Sequence, residues 1–227
     1  MKKTRNGILI PDVPIMAGGN LPNAVKGVSA GGGVNWREMG GYLESTSRVQ
    51  QVDLLLPTQE FVAELDMAVI SSITNAAFFG YIFNNIRSYI RQYPNDATRI
   101  EGFVDYDKGL SPMASVNIGD RYKLTFEVRD GISTLAVDDV VIGTYSGTPQ
   151  KLATLYVFNS YEKTETHFPT LGGMIRLWSL KVTTLDGEVL RDMWPVYTSD
   201  NTPALYDYIS NLFYVNTGEG ELICSYL

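Results

Sequence analysis

From residue 42 onward the chain is a succession of short runs rich in β-branched and aromatic residues, each bounded by Gly, Pro, Asn or Asp. Runs of this length read as strands, because successive side chains of an extended backbone point to opposite faces and one face must be buried. They fall at Val49–Leu56, Phe61–Ile70, Ala76–Phe83, Arg99–Val104, Tyr122–Arg129, Ile132–Val137, Val140–Tyr145, Leu152–Asn159 and Met174–Thr184. Regular spacing with turn residues between them predicts a sandwich of antiparallel sheets. Arg121 to Tyr145 is the clearest stretch: three strands joined by the two-residue reversals Asp130-Gly131 and Asp138-Asp139, whose residues tolerate positive φ. A further hairpin closes at Asp186-Gly187, before Glu188–Val196. Asn84–Arg91 is open between a short turn of helix and a strand.

The first 41 residues follow another pattern. They hold nine of the 21 glycines but only one aromatic residue, Trp36; the other 25 Phe, Tyr and Trp residues lie beyond. So few large side chains cannot offset the entropy of ordering, which predicts an arm that orders against something else. Within it Ile8, Leu9, Ile10, Val13 and Ile15 form an apolar patch suited to docking on a partner protein, and Ala30-Gly31-Gly32-Gly33 is a hinge candidate. A plain terminal tail is the alternative. Lys2 and Lys3 precede only three continuous apolar residues before Pro11, short of the roughly 7–15 of a signal-peptide core, so export by that route is not expected.

Charge and composition narrow the function classes. The 227 residues carry a net charge of −7, of which residues 1–40 contribute +3 and the remainder −10. An acidic body argues against a nucleic-acid partner, which needs a basic surface to release phosphate counterions. No apolar run is long enough for a membrane-spanning helix. The one cysteine, Cys224, excludes an internal disulfide and reads as a small apolar filler of the final strand; the one histidine, His167, removes His-rich metal sites. No cofactor is expected.

Several segments then carry a resemblance. Tyr42-Leu43-Glu44-Ser45-Thr46, with Gln50-Gln51-Val52-Asp53 and Pro57, is similar to the opening strands of the concanavalin A-like, laminin-G-type jelly rolls found in bacteriophage (gut Bacteroidales phage) and gut-bacterial proteins. Ile175 to Val182 resembles the family's last long strand, and Gly187 to Val196 the strand bearing its Arg-Asp signature, here Arg191-Asp192. Leu205-Tyr206-Asp207 and Phe213 to Gly220 resemble its ending. The resemblance implies an all-β, concanavalin A-like jelly-roll sandwich of two antiparallel sheets over residues 42–227, preceded by an irregular N-terminal arm, residues 1–41. It specifies fold and not ligand. Arg191 and Asp192 are adjacent on a strand, face opposite ways and must each find a separate partner. Tyr206-Asp207 and Asn216-Thr217-Gly218 read as turn residues whose side chains bind backbone near the chain end.

Glycosidases also use this fold, with a pair of carboxylates flanking the scissile bond. The nearest approach is Glu64-Leu65-Asp66-Met67-Ala68-Val69, where Glu64 and Asp66 share a face but Ala68 and Val69 stand where the second glutamate is needed. Without a proton donor the pair reads as the solvated face of an outer strand, and no enzyme is expected. Asp105-Tyr106-Asp107-Lys108-Gly109 offers two carboxylates, short of the roughly six to eight oxygens calcium takes. Tyr93, Tyr106 and Tyr161, in polar loop-like stretches, are the candidate glycan contacts, since exposed aromatic faces stack on sugar rings.

Three functions remain: a bacteriophage virion component, either a capsid-attached head fibre or decoration or a tail-fibre piece, anchored by its arm; a free carbohydrate-binding module of a gut bacterium; and a glycoside hydrolase. The arm, its opposite charge and the lack of an export signal favour the first. Its partners are then other virion proteins, with host-surface polysaccharide as a second target. A homo-oligomer, for instance a trimer, suits a fibre, although no heptad repeat counts subunits. Deleting residues 1–35 is expected to leave a folded β-domain that no longer associates with its particle; circular dichroism and cosedimentation check this, and loss of the β signal would place the arm in the core.

Overall fold

The computed structural model describes residues 3–5, 8–10, 37–38, 41–83, 86–104, 112–147, 153–160 and 172–225. Its strands are β1 (Lys3–Arg5), β2 (Ile8–Ile10), β3 (Arg37–Glu38), β4 (Tyr42–Glu44), β5 (Val52–Thr58), β6 (Phe61–Val69), β7 (Ala77–Phe83), β8 (Ile86–Tyr93), β9 (Asp96–Val104), β10 (Met113–Ser115), β11 (Arg121–Arg129), β12 (Ile132–Val137), β13 (Val140–Ser146), β14 (Ala153–Val157), β15 (Ile175–Thr183), β16 (Val189–Tyr197), β17 (Pro203–Asp207), β18 (Leu212–Tyr214) and β19 (Ile223–Ser225). There is no helix among the described residues. The segment 84–91, open between helix and strand in the sequence, contributes β8, because Ile86–Tyr93 finds β7 on one side and β9 on the other.

Two antiparallel sheets form the body. The smaller runs β10-β9-β8-β7-β14-β5; the larger runs β13-β12-β11-β6-β15-β16-β17-β18, with β4 joined to β15, β19 joined to β4, and β3 joined to β16. Among the described residues β1 and β2 pair with each other alone, so Ile8, Leu9 and Ile10 lie opposite Arg5, Thr4 and Lys3. Arg37 and Glu38 lie opposite Tyr197 and Val196. Both reversals of the β11–β13 meander place two residues at positive φ: Asp130 (47°) with Gly131 (74°), and Asp138 (49°) with Asp139 (64°). Such turns match the right-handed twist of the strands they join.

Period-two alternation builds the core between the sheets. β6 contributes Phe61, Ala63 and Leu65, and β11 contributes Leu124, Phe126 and Val128, all fully or almost fully buried. Phe61 meets Phe79 of the opposite sheet edge-on at 6.0 Å and Phe126 beside it at 5.9 Å. Each such ring removes from water an area that stabilises by about 1.5–3 kcal/mol.

A polar clamp closes the sandwich at the C-terminal end. Asp207, with no exposed surface, accepts hydrogen bonds from the backbone N–H groups of Asp192 (2.8 Å), Ile209 (3.1 Å) and Ser210 (3.1 Å) and from the Ser210 hydroxyl (2.6 Å). Its other neighbour is the Arg191 guanidinium at 3.7 Å. Arg191 continues into the other sheet, donating to the carbonyls of Leu54 (3.0 and 3.1 Å) and Leu55 (3.1 Å). Leu55 itself sits at φ 48°, a left-handed conformation that costs a branched-chain residue energy and persists here because the carbonyl is held. Asp192 points the other way and binds Trp194, so the adjacent pair does find separate partners. Asn216 and Thr217 stitch the chain end to β5: the Asn216 side-chain oxygen accepts from Gln51 N–H at 2.9 Å, and Thr217 N–H donates to the Gln51 carbonyl at 2.7 Å. Only glycine fits next, since a Cβ on Gly218 would lie 1.8 Å from the Val49 carbonyl oxygen.

Asp207→Ala removes the acceptor for three N–H groups and leaves the largely buried Arg191 without its counter-charge. Uncompensated buried charge of this kind costs about 3–5 kcal/mol. The expected outcome is an unfolding free energy lowered by that amount, read as a lower urea midpoint with an unchanged slope.

Candidate functional site

β6 lies in the middle of the larger sheet, between β11 and β15, and not at its margin. Its alternation turns Glu64 and Asp66 outward, as the sequence pattern requires, and the neighbouring strands add their own outward residues in register. Across the sheet, Thr125, Glu64, Lys181 and Asp192 form one row. Lys123, Asp66 and Ser179 form the next, and Trp194 continues it, one step beyond the Leu180–Met193 pair.

One irregularity enlarges this face. Leu177 opposes Met67 and Ser179 opposes Asp66, so Trp178 is an extra residue in β15. The bulge turns Trp178 and Ser179 both toward the outer side, where each is partly exposed. Arg121 then lies over the Trp178 ring at 4.5 Å while holding Asp66 with two hydrogen bonds, 2.6 and 2.5 Å. Tyr42 meets Trp178 edge-on at 5.1 Å, and Arg176, bound to Glu44 at 2.7 Å, lies over Tyr42 at 4.7 Å. Cation and ring thus alternate along the face.

Electrostatics fix the donors. The hydrogen bonds to Asp66 raise the Arg121 pKa above its ordinary value. Lys123 is likewise pushed up, first by its hydrogen bond to Asp139 at 3.0 Å and then by the charge of Glu64. The Trp194 indole N–H donates to Asp192 at 2.9 Å, which fixes the ring's orientation. Together these side chains border an open cavity of about 500 Å³, lined by Glu64, Asp66, Arg121, Lys123, Lys181 and Trp194 among others. An indole surrounded by charged donors and acceptors fits a pyranose, whose C–H face is apolar and whose rim is hydroxyl.

Of the glycan contacts named from sequence, the described residues include Tyr93 alone. Tyr93 is half-buried at the end of β8 opposite Asp96, on the smaller sheet, away from this cavity. Tyr106, Tyr161, Val13, Ile15, His167 and the Asp105–Gly109 loop lie outside the described residues. No group of three or more metal-ligating side chains occurs among the described residues. Alternation from Asp192 was enough to place Trp194 on its face. Trp178 was not accessible that way, because strict period two assigns it and Ser179 to opposite faces and the bulge is set by pairing with β6.

No protein-family model and no curated protein sequence matches the chain. Solved structures do match. One from Bacteroides ovatus, ascribed to carbohydrate binding, superposes with a TM-score of 0.58 at 10% identity, over 84% of this chain and 61% of that one. The fold is a concanavalin A-like jelly roll. The chain therefore spans about three fifths of the length of that protein. Mouse laminin α1 domains LG4-5 follow at TM-score 0.48 and 13% identity, covering 71% of this chain and 45% of that one. The carbohydrate-binding module CBM66 from Bacillus subtilis gives 0.43 and 10%, covering 66% and 96%. At 10% identity the likeness to the Bacteroides ovatus structure is one of fold, and the site must be argued from this chain's own side chains.

Cys224, on β19, packs against the core of the jelly roll. Burial pushes its thiol up to about 11, partly offset by a hydrogen bond with Tyr197. At pH 8 only about one such thiol in a thousand is ionised. Alkylation of the native chain by iodoacetamide is expected to run about a hundredfold slower than that of free cysteine, and to reach the free-cysteine rate in denaturant.

Proposed function

We propose that this jelly roll is a carbohydrate-binding domain that holds its sugar on the outer face of the larger sheet and performs no hydrolysis. The observation that carries the reading is the cavity in which the Trp194 indole, pinned by Asp192, stands among Glu64, Asp66, Arg121 and Lys181. A sugar needs one flat apolar surface and, within hydrogen-bond reach of it, both donors and acceptors; the face supplies all three. The fold likeness to a Bacteroides ovatus protein ascribed to carbohydrate binding supports the same reading. Neither the fold likeness nor the cavity supplies support for a phage origin or for virion partners.

Hydrolysis is a poor fit to this face. A glycosidase needs one carboxyl group free to give a proton to the leaving oxygen. Asp66 is taken by both hydrogen bonds of Arg121, and Ala68, fully buried, occupies the strand position where a second acid would be needed.

Affinity electrophoresis in gels cast with neutral polysaccharides tests the proposal. The wild-type chain is expected to be retarded by at least one of them, Trp194→Ala to lose about tenfold or more in affinity with an unchanged melting temperature, and neither to release reducing ends. Retention of Trp194→Ala equal to wild type would remove the cavity from the account.

A further inference from the structure

We infer that this face selects an uncharged, hydroxyl-rich glycan and turns away polyanionic ones. The inference rests on the carbohydrate-binding reading above and names the class of sugar it takes. Its basis is the arrangement of charge around the cavity, where the bordering cations already face carboxylates. Arg121 is held by both oxygens of Asp66, and Lys123 donates to Asp139. Lys181 stands in register between Glu64 on β6 and Asp192 on β16.

A uronic acid or sulfate ester entering the cavity must draw a cation away from a carboxylate that stays within a few ångströms. Strands sit about 4.8 Å apart, well inside the roughly 8 Å over which salt screens charge at physiological ionic strength, so the incoming anion would feel Glu64, Asp66 and Asp192 together. The chain as a whole adds a net charge of −7 to that repulsion.

A hydroxyl meets the opposite situation. It donates once and accepts twice, so neighbouring hydroxyls on a sugar ring can give a proton to Glu64 or Asp192 and accept one from Lys181 between them. The carboxylate–ammonium–carboxylate row matches that duality and demands no net charge from the ligand. Trp194 on β16 borders the cavity beside the row, and apolar stacking on its ring is likewise indifferent to charge.

The experiment uses the intact chain and two sets of soluble polymers: xylan, galactomannan, β-glucan and arabinan as neutral probes, and polygalacturonate, alginate and heparin as polyanions. Retention by at least one neutral polymer, with no polyanion within tenfold of it, supports the inference. A Glu64→Gln/Asp192→Asn variant removes two negative charges while leaving oxygen acceptors in place, one of them for the Trp194 N–H. It is expected to gain tenfold or more toward a polyanion at low salt and to lose that gain in 0.5 M NaCl, with a melting temperature that confirms folding. A wild-type chain that binds a polyanion as tightly as any neutral polymer overturns the inference and leaves the carbohydrate reading intact, as does a folded double variant without the gain. Binding to neither set overturns the carbohydrate reading itself.

Discussion

The buried carboxylate of Asp207 organises both the sandwich and its open face. It gathers three backbone N–H groups and the Arg191 guanidinium, and Arg191 carries the connection into the other sheet through the carbonyls of Leu54 and Leu55. A carboxylate so enclosed is tolerable only because each of its lone pairs has a donor. One of those donors is the N–H of Asp192, whose side chain leaves on the opposite side of β16 to hold the Trp194 indole. The stability of the closure and the orientation of the stacking ring therefore share one strand and one pair of consecutive residues.

The outer face shows how a sheet can be made polar and still shaped. The inward residues of its central strands β6 and β11, Phe61, Ala63, Leu65, Leu124, Phe126 and Val128, are apolar, so the outward positions are free to carry charge, and they do so in alternation across strands rather than in blocks of one sign. Arg121 and Arg176 are each committed twice, to a carboxylate and to an aromatic ring, which keeps long side chains from sampling many rotamers. The result is a preorganised surface with a cavity over β6, β15 and β16, suited to a ligand that offers an apolar face and a rim of hydroxyls.

Much of this architecture was legible in the chain. Ile132–Val137 matched its strand residue for residue, and most other strands differed by a few residues at their ends, because alternation is a local property and hairpins such as Asp130-Gly131 announce themselves by residue type. The opposite orientation of Arg191 and Asp192 followed from the same rule. The short strands β10, β17 and β18 were less legible, since three to five residues carry too little pattern to separate a strand from a turn. Tyr93, named for its polar surroundings, lies on the smaller sheet, whereas the aromatic residues that border the cavity, Tyr122 and Trp194, belong to long strands of the larger one.

By itself, then, the sequence determined the class of fold, the faces of the long strands and the shared face of Glu64 and Asp66, because each depends on neighbours two residues away. Only the tertiary structure decided which strands flank β6, that Lys181 falls between Glu64 and Asp192, and that a bulge turns Trp178 outward. Those features depend chiefly on pairing between segments roughly fifty to one hundred and twenty positions apart, where the register is settled by the packing of two sheets and leaves no local periodicity to read.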